Sequence, residues 1–269
     1  TNNGSVMTSG AGSYGMLAED GSSATNAVSG DISTSGSGAW GMVATGTGSS
    51  LENSGSVSTT GAGSVGMAAA FGATASNAAT GSITTSGAGS QGMAAVSGST
   101  ASNSGTITTS GTGAEGMVAG EGATIVNNVS GDISTSGDGS HGMAARWNST
   151  ASNYGDITTH GLASYGMMAM GGSEAFNIGA DSIVTTGDMA HGMVATDVSS
   201  ADNSGSITTT GAEAYGMLAD GTGSYAVNSG TILTEGGGSH GMAAVNGGTA
   251  LNAVSGDIHT TGAVSSGMM

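Results

Sequence analysis

The apolar positions of this 269-residue chain recur at fixed distances, and those distances are not helical. The pair Gly-Met occurs eleven times, with Met at 16, 42, 67, 93, 117, 143, 167, 193, 217, 242 and 268, every 24 to 26 residues. Ten residues before each of these Met residues stands Ile or Val, from Val6 and Ile32 to Ile232 and Ile258. Two residues after that position comes Thr in every copy (Thr8 to Thr260), and four residues after it comes Gly (Gly10 to Gly262). Each copy holds three short alternating stretches, as in Ile83-Thr84-Thr85-Ser86-Gly87, Gly92-Met93-Ala94-Ala95 and Ala101-Ser102-Asn103. Alternation over four or five residues bounded by Gly is the mark of a strand, and no window shows the 3.6-residue period of a helix. Three strands and three corners consume about 25 residues, one turn of a three-sided parallel β-helix. The chain is expected to be all-β: a right-handed three-sided parallel β-helix (β-solenoid) of about eleven coils of 24–26 residues. A single repeat domain then spans residues 1–269. Right-handedness follows from the strong preference of parallel crossovers.

The corners make sense of the repeated small residues. Turning a coil without Pro calls for positive φ, which Gly adopts freely, so Gly10 with its equivalents and the Gly before each Met are expected at such corners. The Asn that closes the third stretch (Asn77, Asn103, Asn153, Asn203 and equivalents) is expected at the third corner. There it would be left-handed, its amide bonded to the Asn of the coils above and below. The distance from this Asn to the next Ile alternates between six residues (Asn77 to Ile83, Asn127 to Ile133, Asn177 to Ile183) and four (Asn103 to Ile107, Asn153 to Ile157, Asn203 to Ile207), which points to a two-coil duplicated unit. The alternation breaks at Asn228. Ile and Thr of the first stretch share parity, as do Met and Ala of the second, so each coil offers the core one Ile, one Met and a few small groups.

Composition changes the picture only where it touches partners. With 54 Gly and a wealth of Ser, Thr and Ala, the chain resembles a disordered one, but the fixed spacing of its apolar residues argues against disorder. Pro and Cys are absent, so there is neither a disulfide scaffold nor a thiolate metal site. No apolar run reaches the roughly 18 residues of a membrane span. No signal peptide is visible, and the chain opens within the pattern, which suggests a mature or excised fragment. Neither end carries a cap of the kind that protects a solenoid terminus, so further coils or end-to-end stacking of copies is expected. One cation, Arg146, stands against 18 carboxylates, a net charge of −17 that repels nucleic acid and anionic membranes.

Candidate chemistry is sparse. His141, His191 and His240 lie two residues before Met in alternate coils, with Tyr165 and Tyr215 between them and Tyr14, Trp40, Val65, Gln91 and Glu115 in earlier coils. The variety at this position suggests an outward, solvated ladder, and His residues two strand spacings apart, about 9.6 Å, cannot share one metal. Asp31, Asp132, Asp156 and Asp257 precede the core Ile and are expected to be apart in the stack. They do not match the repeat of Ca²⁺-binding β-rolls. The carboxylates form no pair suited to glycoside hydrolysis, and the Gly-rich stretches lack the Lys and helix of a phosphate loop. Arg146, beside Trp147, is expected in a surface loop. No residue is assigned a catalytic, cofactor-binding or metal-binding role.

The string Asn103-Ser-Gly-Thr-Ile-Thr-Thr-Ser-Gly111 followed by Gly116-Met117-Val118-Ala119 resembles the repeats of bacterial autotransporter passenger domains, and the resemblance runs through the whole chain. Met stands where that family more often has Ile. The resemblance implies export across two membranes and display on the bacterial surface, although the family's membrane barrel and signal peptide are not in this sequence. The expected function is that of a non-enzymatic, extracellular structural or adhesive solenoid, a stalk or adhesion fibre. Its contacts would be made by flat Ser/Thr faces to host or neighbouring-cell surface molecules, or by self-association. The alternatives are a self-assembling extracellular filament subunit and an ice-binding solenoid. Ice binding is opposed by the irregular outward positions, which read Met7/Ser9, Ser33/Ser35, Thr84/Ser86, Thr158/His160, Val184/Thr186 and Leu233/Glu235.

Overall fold

The three alternating stretches of each repeat become three strands, and like strands of successive coils pair in parallel. The computed structural model describes residues 1–179 and 182–269. The first sheet has eleven strands, from Ser5–Thr8 to Asp257–Thr260, and carries the Ile positions. The second has ten, from Tyr14–Glu19 to Met242–Val245, and carries the Met positions; the third has ten, from Ser23–Asn26 to Thr249–Asn252, and ends each strand in Asn. An isolated bridge between Met242 and Met268 begins the second side of an eleventh coil, so the expected eleven are ten complete coils and part of another. No helix interrupts the described residues.

Register is kept from coil to coil, and most often like pairs with like: Ile83 pairs Ile107, Met93 pairs Met117, and Asn103 pairs Asn127. The interior is therefore made of columns of like side chains: Met in one, Ile with Val6 and Val57 in another, and mainly Ala, with Leu51 and Ile125, in the third. Ile32, Ile83, Ile107, Ile133, Ile157 and Ile183 are fully buried, as are the Met residues from Met42 to Met242. Each such Ile or Met contributes about 1.5–3 kcal/mol on burial, too little for one coil to order itself, and stacking is what makes the core continuous. The invariant Thr lies inside too, as its parity with Ile required; Thr34 to Thr234 are buried throughout. From the fifth coil to the tenth, its hydroxyl donates to the carbonyl five residues later, as Thr135 does to Ser140 at 2.8 Å. In the first four coils the hydroxyls of Thr8, Thr34, Thr59 and Thr85 have no partner. The change coincides with a shortening of the second-sheet strand from six residues, as in Gln91–Val96, to four, as in Met117–Gly120.

The Asn column forms as expected. Each side-chain amide donates to the amide oxygen of the next, from Asn2 to Asn252, at 2.8–2.9 Å. A buried amide must be satisfied, and this ladder does so while keeping every coil in register. The ladder Asn residues are not left-handed, however. The spare bonding of their amides goes to the corner backbone, as in Asn103 to the Gly105 carbonyl at 3.0 Å. The long corner from Asn177 to Ile183 includes positions 180 and 181, outside the described residues.

The glycine expectation is corrected. Neither the Gly10 column nor the Gly before Met has positive φ among the described residues. The left-handed position of that corner lies two residues beyond the Gly10 column. Gly12, Gly38, Gly63, Gly89, Gly113, Gly139 and Gly238 occupy it, and so do Ala163, Met189, Glu213 and Val264. Both glycine columns are fixed by close approach instead. A Cβ on Gly137 would lie 2.0 Å from the Gly111 carbonyl oxygen, and one on Gly142 would lie 2.3 Å from Cγ2 of Ile157 in the next coil.

Candidate functional site

Among the described residues, the polar and titratable side chains outside the core columns lie on the outer faces and corners of the rod. The first face is the outside of the Ile sheet. Ser82, Thr84 and Ser86 are followed by Thr106, Thr108 and Ser110 in the adjacent coil, a hydroxyl-rich surface broken by Val184, Leu233 and the acidic positions. Two open grooves lie on outer faces near the first coils, one lined by Met7, Ser9, Ser33 and Ser35, the other by Ser23, Thr25, Ser50, Glu52 and Thr74.

Two of the acidic residues are closer than the sequence reading had them. Asp132 and Asp156 pair directly across adjacent strands. Their separation of 24 residues is one coil, so the signal was present in the spacing. Partial burial, followed by repulsion from Asp156, raises the Asp132 carboxyl above its ordinary value. Asp156 accepts from both the backbone N–H and the hydroxyl of Ser182 at 3.0 and 2.9 Å. Asp31 and Asp257 stand in other coils, paired to Ser5 and Ser56 and to Thr231. Among the described residues no three His, Cys, Asp or Glu side chains gather as metal ligands would.

The position two before Met is not the solvated ladder that its variety suggested. His141, Tyr165, His191 and Tyr215 stack ring on ring with centroids 4.7, 5.1 and 4.8 Å apart, and His240 follows, tilted, at 5.1 Å. Each imidazole also accepts, through Nδ1, the backbone N–H of the equivalent residue one coil on: Tyr165 at 3.1 Å, Tyr215 at 2.9 Å and Ser266 at 3.0 Å. That bond requires Nδ1 without a proton. Burial lowers His191 to about 4. Burial lowers His141 as well, with Glu115 opposing and Arg146 reinforcing the shift, and burial followed by the Asp220 charge raises Tyr165. In the earlier coils the same position holds Trp40 and Val65, packed with Ala68 and Ala94 in a small apolar cluster outside the main core. Outward positions such as Ala144 and Val194 are also buried, in keeping with a row of rings lying over this face.

Arg146 is not in a loop. It ends the strand Met143–Arg146 and reaches down the stack to grip Glu115 with both guanidinium nitrogens, Nη1 to Oε2 at 3.0 Å. Glu115 is buried, so the chain's one Lys or Arg side chain serves to neutralise a carboxylate at the foot of the His–Tyr ladder.

Comparison with known proteins bears on this arrangement. The profile of the BigA third pectate lyase-like domain matches residues 1–131, 63–179 and 113–269, overlapping segments that together cover the chain. A chain in the cryo-EM structure of the Vag8–C1 inhibitor complex superposes with a TM-score of 0.79 at 21% sequence identity, over 96% of this chain and 61% of that one. This chain thus spans less than two thirds of the length of that neighbour, and the likeness is one of fold. No curated protein shows significant similarity. Together the profile and the superposition uphold the resemblance to autotransporter passenger β-helices drawn from the repeats.

Proposed function

Because the chain belongs to the BigA third pectate lyase-like domain family, we propose that it forms a non-catalytic, extracellular rod on a bacterial surface, serving as a stalk or adhesive fibre. The observation that carries this reading is the unbroken run of Ile, Met and Asn columns through the whole stack, which fills the interior with side chains and leaves contact to the outer faces. A lyase acting on a polyuronate must neutralise the substrate carboxylate while a neighbouring proton is removed. The chain's one Lys or Arg side chain, Arg146, is held by Glu115 and so is not free for that task, and a net charge of −17 repels such a polymer. The Vag8–C1 inhibitor complex is a precedent for a solenoid of this fold occurring with another protein bound. Contact here would be multivalent: repeated Ser and Thr hydroxyls along the first face make many weak bonds, whose sum rises steeply with the number engaged. Microspheres coated with the chain at graded density, applied to epithelial monolayers, test this. Adhesion should climb steeply with density, and incubation with polygalacturonate should release no unsaturated ends. Measurable release of unsaturated ends would replace the reading with an enzymatic one, and absence of adhesion at every density would remove its adhesive half.

A further inference from the structure

The corner joining the second sheet to the third carries two large aromatic side chains in water. Phe71 is 65% exposed and Trp147 57% exposed, and both have a left-handed backbone with φ of 56°. The same corner position is taken in other coils by Gly46, Gly171 and Gly221, or by the polar Asp20, Ser97, Glu121, Asp197 and Asn246. A bulky residue there is strained, and a half-exposed indole recovers only part of that cost through packing. The adjacent coils make room for it. A Cβ on Gly120 would lie 3.5 Å from Trp147 Cε3, and one on Gly171 would lie 3.4 Å from Cδ1. The indole therefore lies along the rod, its benzo edge over Gly120, with much of its surface free. Tyr225, 51% exposed, opens the third-sheet strand three coils further on, as Trp147 stands three coils beyond Phe71. Phe71 and Trp147 thus stand about 14 Å apart along the ridge, and Tyr225 lies a similar step further along the rod axis but on the third-sheet side, in the column of Glu174 and Ser200.

Between Phe71 and Trp147 the ridge is polar; beyond Trp147 it also carries the exposed Val198. Ser97 donates its hydroxyl to Glu121 Oε2 at 2.6 Å on the coils separating Phe71 from Trp147, and the partly exposed Arg146 is the immediate neighbour of Trp147. Isolated rings separated by hydroxyls and carboxylates do not form the contiguous apolar centre of a protein interface. They suit a ligand that alternates C–H faces with hydroxyls. C–H groups stack on the electron-rich face of an aromatic ring, and hydroxyls bond to carboxylate and guanidinium groups. A pyranoside chain has that alternation, and the charge of −17 favours an uncharged one. We propose that this ridge, centred on Trp147 with Phe71 and Tyr225 as outlying platforms, binds an uncharged oligosaccharide along the rod axis. The proposal names a ligand class for the adhesive reading above and rests on it.

Trp147→Gly separates binding from folding, because Gly takes the left-handed conformation without strain. An array of uncharged oligosaccharides, cellohexaose and N-acetylchitohexaose among them, is probed with the chain and with Trp147→Gly, and the best ligand is then titrated by calorimetry. The variant should bind at least tenfold more weakly while its Tm stays level or rises; Trp147→Phe should retain part of the affinity. No Trp147-dependent signal anywhere on the array, or equal affinity of Trp147→Gly, overturns the site. If coated microspheres still adhere under that result, the adhesive reading stands and the glycan site falls. If array binding depends on Trp147 while microspheres do not adhere, the site stands and the adhesive reading falls.

Discussion

Gly137 is held in place by contact rather than by backbone angle, and its column shows how one residue type meets two different demands within a coil. Its α-carbon sits under the Gly111 carbonyl, which also accepts the Ser140 hydroxyl at 2.9 Å, so any side chain must displace hydrogen-bonded backbone. Gly139, two residues on, has φ of 64° and open space where a Cβ would go. Ala163 occupies the equivalent position one coil later with φ of 51°. Gly137→Ala is therefore expected to cost several kcal/mol, whereas Gly139→Ala should cost only about 1 kcal/mol. Paired thermal melts of the two variants check this, and equal losses would show that conformation, not contact, governs both columns. Spacing in the sequence revealed that these glycines matter but assigned the wrong cause. A fixed interval reports that a position is constrained, and close approach and positive φ leave the same trace in one dimension.

At the scale of the strand and its ladders, the sequence was most legible where side chains alternate strictly. The pairing of Ile with Ile, Met with Met and Asn with Asn follows from constant spacing, and so do the buried Thr and the amide ladder. It was least legible at the corner before Met, where alternation stops and parity no longer tells inside from outside. The His–Tyr ladder sits there, and variety at the position was mistaken for solvation, although any planar ring can join such a stack. The ladder makes a pH prediction. The ordinary histidine value is 6.5 and His191 in the fold is at about 4. The unfolded chain therefore takes up a proton between these values while the native chain does not. The stability this group contributes is complete above about pH 6.5 and is lost as pH falls toward 4, an amount on the order of 3 kcal/mol. His141 shifts the same way. Asp132 and Asp202, both raised mainly by burial and then by a neighbouring carboxylate, act oppositely, since acid relieves their cost in the fold. His191→Gln keeps an acceptor near the Tyr215 N–H and removes the titration. Its Tm should fall less steeply than that of the unmodified chain between pH 6.5 and 4. Parallel curves would mean that His191 does not carry the acid sensitivity.

For the whole molecule the coil is the unit of construction: each is held by like columns above and below, so stability and length should change by whole coils. The alternation of long and short Asn corners makes two coils the natural excision. Removing residues 104–153 joins Asn103 to Tyr154 and recreates a four-residue corner, Asn103 to Ile157, with the next long corner at Asn177 in its proper place. Small-angle X-ray scattering of this deletion is the most direct test. It should give a folded particle of unchanged cross-section, shorter than the parent by about 10 Å, two strand spacings. An expanded, flexible chain, or a compact particle whose length does not shrink, would contradict the stacked-coil account.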